Sequence, residues 1–261
     1  SQDAFSIFAQ DMGRTGYVSG TLAVREGLRA PIPALDPRPL LSMADMGHGN
    51  MAGMDHGSTD NSMAGMDHSS HDMSSMPAMD HGDSGMQMHP ESEKGNVLLD
   101  MQTMSPTAKL DDPGIGLRDN GRKVLTYSDL KSLFDDPDGR EPSRTIELHL
   151  TGHMEKFAWS FNGIPFASAE PLKLTYGERV RITLVNDTMM THPIHLHGLW
   201  SDLEDEQGNF LVRKHTIDMP PGTKRSYRVR ADALGRWAYH CHLLYHMESG
   251  MMREVIVEES T

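Results

Sequence analysis

The tripeptide His240-Cys241-His242 sets the only cysteine of the chain between two imidazoles. On an extended strand successive side chains point to opposite faces, so the sulfur would face one way and both rings the other. His246 and Met251 follow, and upstream the run Thr191-His192-Pro193-Ile194-His195-Leu196-His197 repeats the i, i+2 pairing of histidines. A thiolate, two imidazoles and a distant thioether are the ligand set of a blue-copper electron-transfer centre. Cys241, His192, His246 and Met251 supply that set. On the opposite face His195, His197, His240 and His242 offer neutral nitrogen donors suited to copper or another borderline metal. Cys241 is peptide-bonded to His240 and His242, which gives the two donor sets a short covalent connection of the kind a multi-electron oxidase needs. These three are therefore the candidate catalytic residues.

A single histidine on a strand is more often a structural residue than a ligand. Six of them at matched spacing around a unique cysteine are another matter. Zinc is the chief chemical alternative, but it does not require the axial Met251.

The elements that must position these groups are strands. From about Val97 the apolar pattern is strand-like over Thr145–Leu150, Phe157–Phe161, Leu172–Thr175, Arg179–Val185, Lys224–Val229, Trp237–His242 and Arg253–Val257. Turn signals such as Tyr176-Gly177-Glu178 and Pro220-Pro221-Gly222 separate them. An all-β Greek-key β-sandwich fits this spacing. Only Tyr127–Phe134 reads as helical.

Ahead of this part the chain changes character twice. Residues 1–40 read as two short strands, around Phe5–Ala9 and Tyr17–Leu22, followed by an extended proline-spaced exit through Pro31, Pro33, Pro37 and Pro39. Two strands cannot bury a core, so the segment is expected to be the tail of a preceding domain. Residues 41–92 form a Met/His-rich linker. Between Met43 and His89 it holds 11 Met and 6 His with almost no aliphatic residues, and this composition is expected to be disordered. A unit recurs in it: Met51, Met54 and His56, then Met63, Met66 and His68, then Met76, Met79 and His81. Soft thioethers select Cu(I), so these nine residues are candidates for auxiliary copper capture, against the plainer reading of a solvated connector. Residues 93–261 are the carboxy-terminal folded domain.

The bulk composition narrows the partners. A formal net charge of −13 and a sequence pI near 5.5, with no basic cluster, argue against nucleic acid. No apolar stretch approaches the ~20 residues that span a bilayer, so membrane insertion is not expected. The 21 Met and 15 His beside one Cys exclude intrachain disulfides.

His-Pro-Ile-His-Leu-His and His-Cys-His-x3-His-x4-Met resemble the two carboxy-terminal copper signatures of the multicopper oxidases. The likeness is greatest to the periplasmic copper-resistance oxidases of bacteria and extends through Phe5–Leu41, the Met-Asp-His units, Trp159-Ser-Phe-Asn-Gly163 and Thr191–Thr216. The resemblance implies a cupredoxin fold and the cofactor copper in three kinds of site. His192, Cys241, His246 and Met251 would hold type 1 copper, His195 type 2, and His197, His240 and His242 the type 3 pair. It further implies oxidation of Cu(I) or of phenols with reduction of O2 to water, service in copper tolerance, and a periplasmic location. Cu(I), Cu(II) and O2 would be the partners. The family's first domain supplies two further His-x-His motifs, which this chain lacks. On that pattern the chain is expected to be the end of a longer enzyme, inactive alone and partnered by a missing amino-terminal cupredoxin domain. The rival reading is a non-catalytic protein that buffers copper through its linker and carries electrons in its cupredoxin domain.

Three smaller expectations follow. The acidic run Trp200-Ser-Asp202-Leu-Glu204-Asp205-Glu206 reads as a solvated loop near the type 1 site, with guidance of Cu(I) as its functional alternative. Met247 and Met252 read as packing residues. His149, His153 and His215 read as structural.

Overall fold

The computed structural model describes residues 3–42, 45–46 and 86–260. The nine methionines and histidines singled out between Met51 and His81 lie outside the described residues.

Thirteen strands organise the described chain. The hairpin β1 (Ala4–Gln10) and β2 (Tyr17–Ala23) forms a two-stranded sheet of its own, in the positions expected from the sequence. Phe5, Ile7, Val18 and Leu22 on it are exposed. The remaining strands are β3 (Thr145–His153), β4 (Ala158–Phe161), β5 (Leu172–Thr175), β6 (Arg179–Asn186), β7 (His192–Leu196), β8 (Ser201–Glu204), β9 (Phe210–Lys214), β10 (Thr216–Met219), β11 (Lys224–Arg230), β12 (Gly235–Cys241) and β13 (Met252–Glu258). They form a five-stranded sheet in the order β10-β7-β12-β13-β5 and a six-stranded sheet in the order β4-β3-β6-β11-β8-β9. The chain changes sheet between β4 and β5, at every step from β5 to β8, and again from β9 to β12, so the connections are those of a Greek-key sandwich. Inward residues of both sheets, among them Leu150, Val180, Leu184, Leu196, Tyr227 and Val255, make one core.

All seven strands expected within residues 145–257 are present, six within two residues at their ends and β3 running three residues past Leu150. Three departures matter. The helix expected over Tyr127–Phe134 is only a 3-10 turn, Tyr127–Asp129, after which Leu130 is extended. Leu133 is 99% exposed, so no packed face holds a helix there, and so short a helix is marginal without one. A five-residue helix, α1 (Leu244–Glu248), forms where none was expected. The acidic run does not form a loop near His192. Its first half is β8, within the six-stranded sheet, where Asp202 and Glu204 are buried. Arg213 pairs with Asp202 at 2.7 Å, and Glu204 takes Arg181 at 2.7 Å and Arg228 at 2.5 Å. Asp205 accepts the amides of Gln207 and Asn209 and shapes the turn into β9. Carboxylates spent in this way are not free to guide a cation.

One glycine controls how α1 re-enters the sandwich. Gly250 has φ +120, and a Cβ there would stand 2.6 Å from the Trp159 carbonyl oxygen. Gly250→Ala is expected to cost about 1–3 kcal/mol and to lower the thermal midpoint by roughly 2–12 °C, checked by calorimetry.

Candidate metal centre

Antiparallel pairing of β12 with β7 sets His240 opposite His195 and Cys241 opposite Ile194. Along β7 burial alternates, with His192, Ile194 and Leu196 inside and His195 turned out. Cys241 is fully buried, while His240 is half-buried and His242 exposed. The opposed faces read from the tripeptide are therefore present.

Inside the sandwich Cys241 Sγ lies 3.6 Å from His192 Nδ1 and 3.8 Å from His246 Nδ1. The two Nδ1 atoms are 3.0 Å apart. Helix α1 carries His246, and the chain after it returns at once. The Met251 amide donates to the His246 carbonyl at 3.0 Å, and the Met251 carbonyl accepts the Cys241 amide at 3.1 Å. Met251 is fully buried.

The protonation of His192 follows from its neighbours. The Thr188 hydroxyl can give its one hydrogen to Asn186 Oδ1 at 2.9 Å or to the Met190 carbonyl at 3.2 Å. With that hydrogen given to either, its oxygen accepts from His192 Nε2–H at 2.7 Å, and Nδ1 is then a lone pair facing the sulfur. Asn186 is fixed in turn, because its amide donates to the carbonyls of Met190 and Met219 at 2.8 and 2.7 Å. Sequence reasoning passed over Thr188 and Asn186, although Asn186-Asp187-Thr188 stands four residues ahead of the first histidine motif. Outer partners of this kind fix ligand orientation. Thr188→Val is expected to weaken copper binding at Cys241 about 10- to 100-fold, measured by competition with a chelator of known affinity.

Burial sets the charges. It holds His192 well below its ordinary pKa and His246 at about 4, so both rings stay neutral donors. Burial also pushes the Cys241 thiol up to about 12. In the metal-free chain the thiol therefore stays protonated at pH 8, and it is inaccessible. Native metal-free protein should therefore resist thiol reagents at pH 8 and react fully once denatured, as scored by mass spectrometry.

Trp159 roofs the group. Its indole stacks on His246 with centroids 4.0 Å apart and meets His192 edge-on at 5.2 Å. Phe157 closes against His246 at 6.1 Å.

On the outer face His195, His197, His240 and His242 come together as expected, with ring centroids 4.6 to 5.9 Å apart. His195 Nδ1 bonds the His215 carbonyl oxygen and His240 Nδ1 the Cys241 carbonyl oxygen, the latter at 2.9 Å. Both bonds place the ring proton on Nδ1 and free Nε2 as a donor atom. His240 Nε2 faces His197 Nε2 at 3.0 Å. Burial, and then the neighbouring imidazoles, lower the pKa of His197.

Two pairs of imidazole nitrogens thus converge at 3.0 Å, one pair beside a thiol. Lone pairs at that distance repel unless a proton or a metal ion lies between them, so the donors present fit copper. His215 packs edge-on against His195 at 5.6 Å and supplies its carbonyl, a supporting part. His153 pairs with Asp100 at 3.1 Å. His149, expected to be structural, belongs to a second buried group with His89, Glu93 and Asp187.

A sandwich with this donor set on β7, β12 and α1 is a copper-site cupredoxin domain, and residues 139–261 match the multicopper oxidase family. That stretch is a multicopper oxidase family domain. The chain is 69% identical to copper resistance protein A of Pseudomonas syringae pv. tomato over 98% of its length, and 70% identical to copper resistance protein A of Escherichia coli over the same share. Those alignments take in 47% and 46% of the relatives, so the chain spans about half their length. Among solved structures it is similar to a multicopper oxidase from Campylobacter jejuni described as a metallo-oxidase, with a TM-score of 0.41 and 22% identity over 53% of this chain and 34% of that one.

Proposed function

We propose that His192, Cys241 and His246 would hold a type 1 copper, with the Met251 thioether as a further donor. On the same reading His195 serves a type 2 copper, and His197, His240 and His242 serve a type 3 pair. The whole protein is then a multicopper oxidase of copper tolerance. It oxidises Cu(I), or phenols, in four one-electron steps and reduces one O2, with four protons, to two H2O. Residues 1–40 belong to the close of a preceding cupredoxin domain, and an amino-terminal domain supplies the other half of the cluster ligands. The name shared by the relatives supports the copper-tolerance role, and the proposal places the protein in the periplasm.

Copper supplies the one-electron redox chemistry and the affinity for O2; the protein supplies position and surroundings. Burial of Cys241, His192 and His246 under Trp159 excludes water from the inner site. Thr188 holds the outer nitrogen of His192. The observation that carries the reading is the contiguity of the two donor sets. Cys241 belongs to the inner one, its peptide neighbours His240 and His242 to the outer one, and the His240 ring donates back to the Cys241 carbonyl at 2.9 Å.

Oxygen uptake with Cu(I) as electron donor tests this. A protein extended to the length of its relatives should consume O2, and the 261-residue chain alone should bind copper without consuming it. Uptake by the extended protein that survives Cys241→Ser would contradict the reading.

A further inference from the structure

We propose that His89, Glu93, His149 and Asp187 form a second metal site, separate from the copper ligands, that takes a divalent first-row ion of the zinc class. The four ligand atoms lie within 4.8 Å of one another, and three of the residues are buried. They come from three parts of the chain. His149 is on β3, Asp187 follows β6, and His89 precedes and Glu93 ends the 3-10 turn Glu91–Glu93 of the segment that runs into the domain.

Both rings turn the same nitrogen inward. His149 Nδ1 is 2.7 Å from Asp187 Oδ2 and 3.7 Å from Glu93 Oε1, while His89 Nδ1 is 3.4 Å from Asp187 Oδ2 and 3.2 Å from Glu93 Oε2. These distances bracket the edge of about 3.3 Å expected of a tetrahedron whose ligands lie 2.0–2.1 Å from zinc. The outward nitrogens are already engaged, His89 Nε2 with the Thr103 carbonyl at 3.0 Å and His149 Nε2 with the Glu147 carboxylate at 3.2 Å. That is the outer arrangement that metal-bound histidines adopt, with the proton on the far nitrogen and the lone pair on the near one. The carboxylates are also held from behind. The Thr103 amide donates to Asp187 Oδ1 at 2.7 Å, and Gln102 donates to Glu93 Oε2 at 2.8 Å.

A second observation points to a ligand. Glu93 Oε1 is buried with no hydrogen-bond partner, although the residue is only 3% exposed. A buried carboxylate oxygen with nothing to accept from is costly, and this one faces the His149 nitrogen. Two carboxylates and two neutral imidazoles balance one divalent cation. Without it, Asp187 first, and Glu93 with it, keep a proton on His89 up to about 9, and metal binding would release that proton. Such an ion would clip the segment around His89 and Glu93 to the end of β6. Asp187 lies between Asn186 and Thr188, the two residues that orient His192, so the clip would also brace the copper ligand's support.

The test is diffraction from crystals of the full chain equilibrated with Zn2+ and no copper, recorded on both sides of the zinc absorption edge. A zinc peak bonded to His89 Nδ1, His149 Nδ1, Asp187 and Glu93 is expected. Glu93→Gln should lower zinc occupancy there at least tenfold and abolish the part of the zinc-induced rise in melting temperature that comes from this site, while circular dichroism stays that of a folded β protein. Ordered side chains with no zinc peak among them at millimolar Zn2+ would overturn the site and leave a protonated His–carboxylate network in its place. A peak that persists undiminished in Glu93→Gln would overturn it as built. Zinc on the copper ligands or the Met/His segment appears at other positions and bears on neither result.

Discussion

Cys241→Ser is expected to abolish the intense visible absorption of the copper-loaded chain. That absorption needs a copper–thiolate bond, and Cys241 is the only thiol. Serine is nearly isosteric in this fully buried position, so the fold should survive, with a cost of about 1–3 kcal/mol for a hydroxyl facing the two neutral rings. In a protein carrying the whole cluster, oxygen uptake should fall to the level of the copper-free protein. Histidines 195, 197, 240 and 242 lie on the other face of the sheet and should still bind copper, so the copper count should fall by about one while the colour goes completely. An absorption spectrum and a copper determination on the same sample give both numbers. Colour that persists in the serine variant would place the chromophore elsewhere.

Glu204→Gln should produce the largest loss of stability. Glu204 is 3% exposed and accepts from Arg181 at 2.7 and 2.8 Å and from Arg228 at 2.5 Å. Arg228 is itself buried, and its remaining acceptors are Asp136 at 3.1 Å and the Gly208 carbonyl at 2.6 Å. Removing one member of a buried charge group costs about 3–5 kcal/mol, because the charge left behind is neither solvated nor paired. Asp136 shares the load, so about 3 kcal/mol is expected, and a midpoint about 6–12 °C lower. The same variant separates the two readings of the acidic run. A site that guides Cu(I) would show normal stability and slower copper loading; a buried salt-bridge node shows the reverse.

The proposed copper donors were legible because their spacing is local. Two histidine motifs with i, i+2 pairing and a cysteine on an alternating strand state which side chain goes to which face, and the strands around them have plain apolar patterns. β8 was not legible, since one of its two buried faces is made of carboxylates that look like a solvated loop until Arg181, Arg213 and Arg228 arrive from other strands. Thr188 gave no signal either, because a threonine after Asn-Asp reads as turn chemistry, and its role appears only when β7 turns His192 back onto it. The same holds more strongly for His149. Its partners His89 and Asp187 are 60 and 38 residues away, and no spacing rule connects them. Local pattern finds a motif within a strand or a turn; convergence of distant segments needs the sheet order.

The central claim is that copper lies between Cys241 Sγ and the Nδ1 atoms of His192 and His246. The most direct test is diffraction from copper-loaded crystals of the chain on both sides of the copper edge. The account predicts a copper peak bonded to all three atoms, with Met251 the nearest thioether. A copper-replete crystal in which Cys241, His192 and His246 remain unliganded, with copper elsewhere, would contradict it.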